Sequence, residues 1–278
     1  MYKKKSYQEY LEEAKNKIRE LLRKERAMYV TELKVRLDGS VDEKVRFWQW
    51  ITYDALQQMH RNGELKRRPR RGKYYVGEEG VVKRGSEITF YYLAELTYAD
   101  VADVVRKKLE LVNQHASISS EVGHYAEEVV KEALEAEGFR IEGRDTKEFK
   151  GKVWPGVRDV DFIVYDPIAR RYCVIQVKNR LTYPEWDDIA TLIDIGDFFR
   201  DPEDVRPWFI ARQMPGDYTL EIIKCRGFYT TFLKWLIPEK YRSLCERLRQ
   251  VLGLPVLYDR SETIKLLRKK FAAVHTYP

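Results

Sequence analysis

RDVDFIVYDPIARRYCVIQVKNR, residues 158–180, is the stretch that decides the fold. Two runs rich in β-branched residues, VDFIV and CVIQVK, flank the turn signal DPIARR, so the segment reads as an antiparallel hairpin. Asp161 lies on the first strand, and Gln176 and Lys178 lie on the second. Side chains alternate along a strand, which puts Gln176 and Lys178 on one face and Ile175 and Val177 on the other. A Lys set among Val174, Ile175 and Val177 is costly to bury unless an anionic group meets it. Asp161 from the neighbouring strand, with a metal ion or a phosphate, supplies that partner. The alternative is a surface hairpin with a solvated Lys.

Upstream, residues 119–138, SSEVGHYAEEVVKEALEAEG, read as an amphipathic helix with Ser at its start and Gly138 as its stop. Glu121, Tyr125, Glu128, Glu132 and Glu135 fall on its wet face. Glu127 falls instead in line with Gly123, Val130 and Leu134, at the edge of the apolar stripe. A half-buried Glu paired to a nearby base and a Glu serving a site are both compatible with that position.

A helix-borne Glu, a strand-borne Asp and a short-spaced pair ending in Lys resemble the PD-(D/E)xK nuclease superfamily. Gly123, Ala126 and Glu127 are similar to the opening helix of archaeal Holliday-junction resolvases. Gln176 and Lys178 are similar to the Gln-x-Lys of Mrr-type endonucleases. The likeness spans about residues 118–232. Two departures stand out: Val160-Asp161 replaces the usual Pro-Asp, and Gln176 replaces an acid. Gln offers a carbonyl oxygen but removes one negative charge, which weakens metal binding.

The resemblance implies a restriction endonuclease-like α/β fold, a mixed sheet flanked by helices, and metal-dependent hydrolysis of DNA phosphodiesters. It implies Mg²⁺ or Mn²⁺ held by Asp161, the Gln176 carbonyl and the Val177 backbone carbonyl, with Glu127 holding a metal-bound water or a second ion. Lys178 then orients the attacking water or neutralises developing charge. Asp159, two residues before Asp161, is a further ligand or the end of a loop.

Downstream elements follow the same order. A capping pattern at Thr182 and Glu185 opens a helix to about Phe199, followed by strand 206–212. Pro215-Gly216-Asp217 opens another helix, and strand 228–233 follows Gly227. This alternation after a hairpin gives an α/β domain with a mixed sheet.

The N-terminal portion carries a separate signal. Residues 1–78 hold 20 Lys/Arg against 12 Asp/Glu, a net of +8, whereas the other 200 residues net −1. Within it, RNGELKRRPRRGKYY (61–75) has seven basic groups and one acid. Such concentration points to a polyanion partner. Helices are expected over 7–26, after Thr31, and from the capping box at Ser40 to Asn62-Gly63. The last has an apolar stripe of Val41, Val45, Trp48, Thr52, Ala55, Leu56 and Met59. Two strand-like pieces, ELKRR and KYYVG, follow. Three helices and a basic hairpin resemble a winged helix-turn-helix, whose third helix and wing meet DNA. By that resemblance Arg46, Gln49, Tyr53, Gln57 and Arg61 face DNA from the helix, and Arg67, Arg68, Arg70, Arg71 and Lys73 from the wing. Trp48 reads as core; Trp50 is open.

The expected organisation is a winged-helix domain over 1–80, a connecting helical segment over 81–117, a nuclease-like domain over 118–235 and a helical extension over 236–278. In the connector a helix over 98–114 turns Val101, Val104, Val105, Leu109 and Val112 inward. In the extension, helices start at Pro238 and Ser261. Across 278 residues, 44% hydrophobic content supports real cores, and 34% charged content suits a heat-adapted intracellular protein. Cys173, Cys225 and Cys245 have no paired spacing, which suits reduced thiols in the cytoplasm and argues against a zinc site. No apolar stretch reaches the roughly 18–20 residues of a membrane span.

The leading expectation is a metal-dependent DNA endonuclease whose winged helix positions the substrate, with a homodimer expected where both strands are cut. Against it stands a non-cleaving DNA-binding protein with a degenerate nuclease-like domain, kept open by Gln176. A plain transcriptional regulator leaves Glu127, Asp161 and Lys178 without a role.

Overall fold

The computed structural model describes residues 6–38, 47–71, 75–76, 82–83, 87–180, 186–201, 203–211, 229–232, 236–253 and 259–276. The chain divides into two compact units, one of residues 1–119 and 241–255, the other of 120–240 and 256–278.

In the first unit, α1 (Tyr7–Glu25) starts at a capping box in which Glu9 N–H donates to Ser6 Oγ and Ser6 N–H donates to Glu9 Oε2. Its Leu11, Ala14, Ile18 and Leu22 are buried at helical spacing. Next come β1 (Ala27–Tyr29), α2 (Val30–Leu37), α3 (Gln49–Arg61) and β2 (Leu65–Arg71). Two short pieces, β3 (Tyr75–Val76) and β4 (Val82–Lys83), pair with each other, and β5 (Glu87–Leu93) follows. The three-stranded sheet has the order β1-β5-β2, antiparallel throughout. Leu11, Leu22, Met28, Leu33, Ile51, Leu56, Met59 and Tyr91 share one core.

Two sequence expectations change here. β2 pairs with residues 87–93, a strand the sequence reading passed over, and Tyr75–Val76, the described part of KYYVG, pair with Val82–Lys83. The central position of a sheet is covered on both sides, and β5 brings buried Phe90, Tyr91, Tyr92 and Leu93 to fill it. The third helix also starts late. Trp48 is extended (φ −60, ψ 141) and caps a helix that begins at Gln49, while the capping box at Ser40 lies outside the described residues. Trp48 is half-buried against the core, as read, and Trp50 is exposed.

Residues 81–117 are not a separate connector. α4 (Tyr98–Ser117) buries Val101, Val105, Lys108 and Leu111 within the first unit. The buried stripe thus runs through Lys108, with Val104, Leu109 and Val112 only half-buried. Nor is 236–278 one extension, because its two helices belong to different units. After a 3₁₀ turn (Glu239–Tyr241), α7 (Arg242–Leu252) packs on α4, where Arg247 donates to Gln114 Oε1 at 2.7 Å. α8 (Arg260–Val274) packs in the second unit.

That second unit opens with α5 (Ser119–Ala136), which Gly138 ends at φ +95. Its sheet contains β6 (Arg140–Thr146), β9 (Val160–Asp166), β10 (Arg171–Lys178), β11 (Val205–Ala211) and β12 (Tyr229–Phe232), in the order β12-β11-β10-β9-β6. A small hairpin, β7 (Glu148–Phe149) and β8 (Lys152–Val153), precedes β9. The strands β6, β9 and β10 pair antiparallel, and β10, β11 and β12 pair parallel, so the sheet is mixed, as expected.

Helices cover both of its faces. Ala126, Val130 and Leu134 of α5 and Leu267 and Phe271 of α8 share a core with Phe162, Cys173, Ile175 and Trp208. Phe271 meets Trp208 edge-on at 5.0 Å. On the other face α6 (Trp186–Phe199) sets Ile189, Leu192 and Phe199 against Ile163, Val174 and Phe209. Gly196 lets α6 lie close to β11, since a Cβ there would stand 2.5 Å from Pro207. The helix expected from Pro215 lies outside the described residues. Two layers of helix cover both faces of the inner strands, which is why β9 and β10 read as near-continuous apolar runs.

Candidate active site

β9 and β10 pair in the register Phe162↔Ile175, and the ladder stops there. One residue further, the Asp161 carboxylate takes over the acceptor role, and Val177 N–H donates to its Oδ2 at 2.5 Å. Gln176, on the same strand end, hydrogen-bonds to the Asp161 carboxyl, and Lys178 adds an attractive field. Both share the face of Val174, which packs towards α6.

Burial pushes the Asp161 carboxyl up to about 6. The Val177 N–H and the Lys178 charge oppose that rise, Glu127 adds to it, and Gln176 opposes it. Glu127 acts on Asp161 through its charge from α5, its side chain only 17% exposed and 3.3 Å from His124 Nδ1 one turn earlier. The structure thus brings Glu127, Asp161, Gln176, Val177 and Lys178 into one electrostatic neighbourhood. Asp159 is exposed in the loop before β9.

The donors here are two carboxylates, one amide oxygen and main-chain carbonyls, all hard oxygen ligands of the kind a small divalent cation takes. Among the described residues no three or more His, Cys, Asp or Glu side chains cluster to hold a metal. Two carboxylates with amide and main-chain oxygens would suit an ion that keeps water in its shell, as Mg²⁺ does with one or two protein carboxylates.

The basic candidates of the first unit divide sharply. Gln49 is 4% exposed and donates to Asp38 Oδ2 at 3.3 Å, so it is removed from the outward face where the sequence reading put it. It occupies the first turn of a helix that starts at 49, where its side chain turns back on α2. Tyr53 is exposed, with Lys34 Nζ 5.3 Å from its ring centre. Gln57 donates to Tyr91 Oη at 3.3 Å, and Arg61 is exposed. Arg67, Arg68 and Arg71 are exposed on β2, and Arg68 and Arg70 lie over the Tyr98 ring at 5.1 and 4.7 Å. Arg46 and Lys73 lie outside the described residues.

No protein-family model and no curated protein matches the chain. Among solved structures it is similar to a repair endonuclease from Pyrococcus abyssi, at 14% identity and TM-score 0.29, over 57% of this chain and 60% of that one. It is similar to an EndoMS–dsDNA complex at 15% identity and TM-score 0.29, over 55% of this chain and 54% of that one. It is also similar to the restriction endonuclease PspGI with substrate DNA, at 15% identity and TM-score 0.32, over 96% and 94%. The chain spans less than two thirds of the first two. At these TM-scores the likeness says nothing of activity; the side chains have to carry that.

Two residues at this site escaped the sequence reading. Asp188, in the first turn of α6, is buried and takes Arg158 Nη1 at 2.8 Å and Arg180 Nη1 at 3.2 Å. It ties the loop before Asp161 and the segment after Lys178 to one helix. Asn179 donates to Val122 O at 3.1 Å and Leu236 O at 2.7 Å, and accepts Leu236 N–H at 3.0 Å. Val122 is in the first turns of α5, five residues before Glu127, so Asn179 links the strand carrying Lys178 to the helix carrying Glu127. An acid among apolar residues (DDIATL) was the available signal for Asp188. Asn179 had none, because its partners lie 57 residues away on either side.

Proposed function

We propose that the protein is a metal-dependent DNA endonuclease that hydrolyses phosphodiester bonds. The observation that carries this reading is the carboxylate of Asp161, lodged at the end of the β9–β10 ladder on Val177 N–H, with Gln176, Lys178 and Glu127 acting on it. An exposed surface hairpin would not hold a carboxylate under that burial.

Asp161 and Glu127 would hold Mg²⁺ or Mn²⁺, with the Gln176 side-chain carbonyl and the Val177 main-chain carbonyl as further oxygens. When bound, the ion would supply Lewis-acid polarisation of the phosphate and a water of lowered pKa. The chain's own residues do the rest. Val177 N–H fixes the orientation of the Asp161 carboxylate. Lys178 holds a positive charge where the phosphoryl oxygens gain negative charge. Glu127, hydrogen-bonded to His124, keeps a second anionic group within reach.

The order helix, strand, helix, helix and two antiparallel strands in the first unit supports a winged helix-turn-helix reading. On that reading Tyr53, Gln57 and Arg61 of α3 and Arg67, Arg68, Arg70 and Arg71 of β2 meet DNA, with Arg46 and Lys73 as sequence neighbours.

The test is incubation of the purified protein with branched, single-stranded and linear duplex DNA, with Mg²⁺ or Mn²⁺ and with EDTA. Cleavage should need the ion and vanish in Asp161→Ala and Lys178→Ala with circular dichroism unchanged. One observation favours a second reading: Gln176 adds no charge, leaving Asp161 and Glu127 as the only carboxylates acting there among the described residues. If the wild type binds DNA yet cuts none of these substrates, it is a non-cleaving DNA-binding protein.

A further inference from the structure

The outward stripe of α3 carries two large rings in its first turns, ahead of Gln57 and Arg61. Trp50 is 51% exposed and Tyr53 is 45% exposed, three residues apart and so on one face. Tyr7 of α1, itself 40% exposed, stacks on Trp50 with ring centres 5.7 Å apart and planes within 12°. Tyr7 Oη donates to Asp54 Oδ2 at 3.1 Å, which fixes the stacked ring in place. One face of Trp50 is thus backed by a held ring.

Cations alternate with these rings. Lys34 from α2 stands over Tyr53. Further along the same stripe come Gln57, bonded to Tyr91 Oη, and exposed Arg61. Arg67 reaches the same Tyr91 hydroxyl from β2. Neighbouring exposed rings of this kind make a contiguous apolar face, the type of surface that marks interaction sites. The basic excess of residues 1–78 makes an anionic partner the complementary one.

A polyanion that also has flat apolar faces to offer is a nucleic acid with unpaired bases. In a continuous duplex each base already stacks on its neighbours and shows only its edges. Unpaired bases expose faces that stack on Trp and Tyr whatever their sequence, while Lys and Arg follow the phosphates. We infer that the Trp50–Tyr53 face of α3 is a stacking platform for a single-stranded stretch of DNA. The protein would then favour DNA carrying an unpaired segment over uninterrupted duplex. This rests on the DNA-binding part of the proposed function and not on cleavage.

The experiment measures dissociation constants by fluorescence anisotropy in EDTA, with the full chain. The probes are a dye-labelled oligothymidylate and a blunt duplex of equal length. Trp50→Ala should weaken oligothymidylate binding by about tenfold and change duplex binding less than twofold. Trp50→Phe should recover most of the loss. Thermal melts of both variants should match the wild type, since Trp50 is half exposed. An equal loss on both probes, or no loss on oligothymidylate, overturns the platform. If the wild type binds neither probe, DNA binding itself fails; if it binds both in EDTA and cuts neither branched, single-stranded nor duplex DNA once Mg²⁺ or Mn²⁺ is supplied, only the nuclease reading fails.

Discussion

Asn179 and Leu236 exchange a reciprocal pair of hydrogen bonds: Asn179 Nδ2 donates to Leu236 O at 2.7 Å, and Leu236 N–H donates to Asn179 Oδ1 at 3.0 Å. The side-chain amide thereby imitates one rung of a sheet ladder just past the end of β10. Its second N–H reaches Val122 O on α5, so three segments meet at one amide beside the candidate site.

Asn179→Ala leaves the Val122 and Leu236 backbone groups without these partners. Stability should fall by about 2–4 kcal/mol, the sum expected for three bonds with buried ends. Asn179→Asp should do no better, because it turns two donations into repulsion between oxygens. Urea denaturation measures both, and a loss below about 0.5 kcal/mol would mean that water replaces the amide.

Asp161 should make the metal-free protein sensitive to pH. Burial raises its carboxyl from the ordinary 3.8 to about 6, so the folded state holds this proton more tightly than the unfolded chain. The stabilisation that goes with the proton is complete below about pH 4 and is lost as pH rises through 6. Above pH 7 the wild type therefore carries a penalty of up to about 3 kcal/mol. Asp161→Asn keeps an acceptor for Val177 N–H and removes the titration. In EDTA the variant should be the more stable protein at pH 7.5, with the advantage gone at pH 4. Equal stability at pH 7.5 would show that the carboxylate is not desolvated.

Gln176→Glu restores the charge that the chain lacks next to Asp161. Half-saturation of cleavage by Mg²⁺ should shift to about tenfold lower concentration, an order consistent with one added carboxylate ligand. Without metal the new like charge should lower stability at neutral pH. A metal titration indistinguishable from the wild type would exclude position 176 from the ion's surroundings.

The first unit contains a buried charge cluster with a testable coupling. Lys108 Nζ donates to Glu32 Oε1 at 2.7 Å and to Ala27 O at 3.0 Å, with Glu25 3.6 Å away. Arg36 adds contacts to Glu25 at 3.0 Å and to Glu32 at 3.4 Å. Burial still pushes the Glu32 carboxyl up to about 7 against the pull of Lys108 and Arg36. Lys108→Met should cost about 3–5 kcal/mol at pH 8 and less at pH 6, where Glu32 takes up a proton. Combining it with Glu32→Met should cost clearly less than the two single losses added together. Additive losses would show that the pair is not coupled.

Arg70→Ala with Arg71→Ala should weaken duplex binding and flatten its dependence on salt, because fewer counterions are released. Each lost phosphate contact should reduce the slope by about 1. An unchanged slope would mean that these two side chains do not touch phosphates. Arg70 already leans on Tyr98, so the ring offers it a resting place without DNA.

Local order was legible in the residues themselves. The helix ended by Gly138, the hairpin about DPIARR and the strand containing PWFIA follow from periodicity and turn chemistry, which act between near neighbours. The opposed faces of β10 follow from alternation alone, which is why Gln176 and Lys178 could be paired on paper. Other features were decided only when distant segments packed. β5, and not Tyr75–Val76, became the partner of β2, because the centre of that sheet needs apolar residues on both sides. Gln49 turned inward to Asp38, Lys108 joined the core through Glu32, and α7 and α8 went to different units. Asn179 acquired partners that no local pattern announces, 57 residues away on either side. Periodicity specifies which face of an element is apolar; which other face comes to cover it depends on burial summed over the whole chain, and that is a property of the tertiary structure.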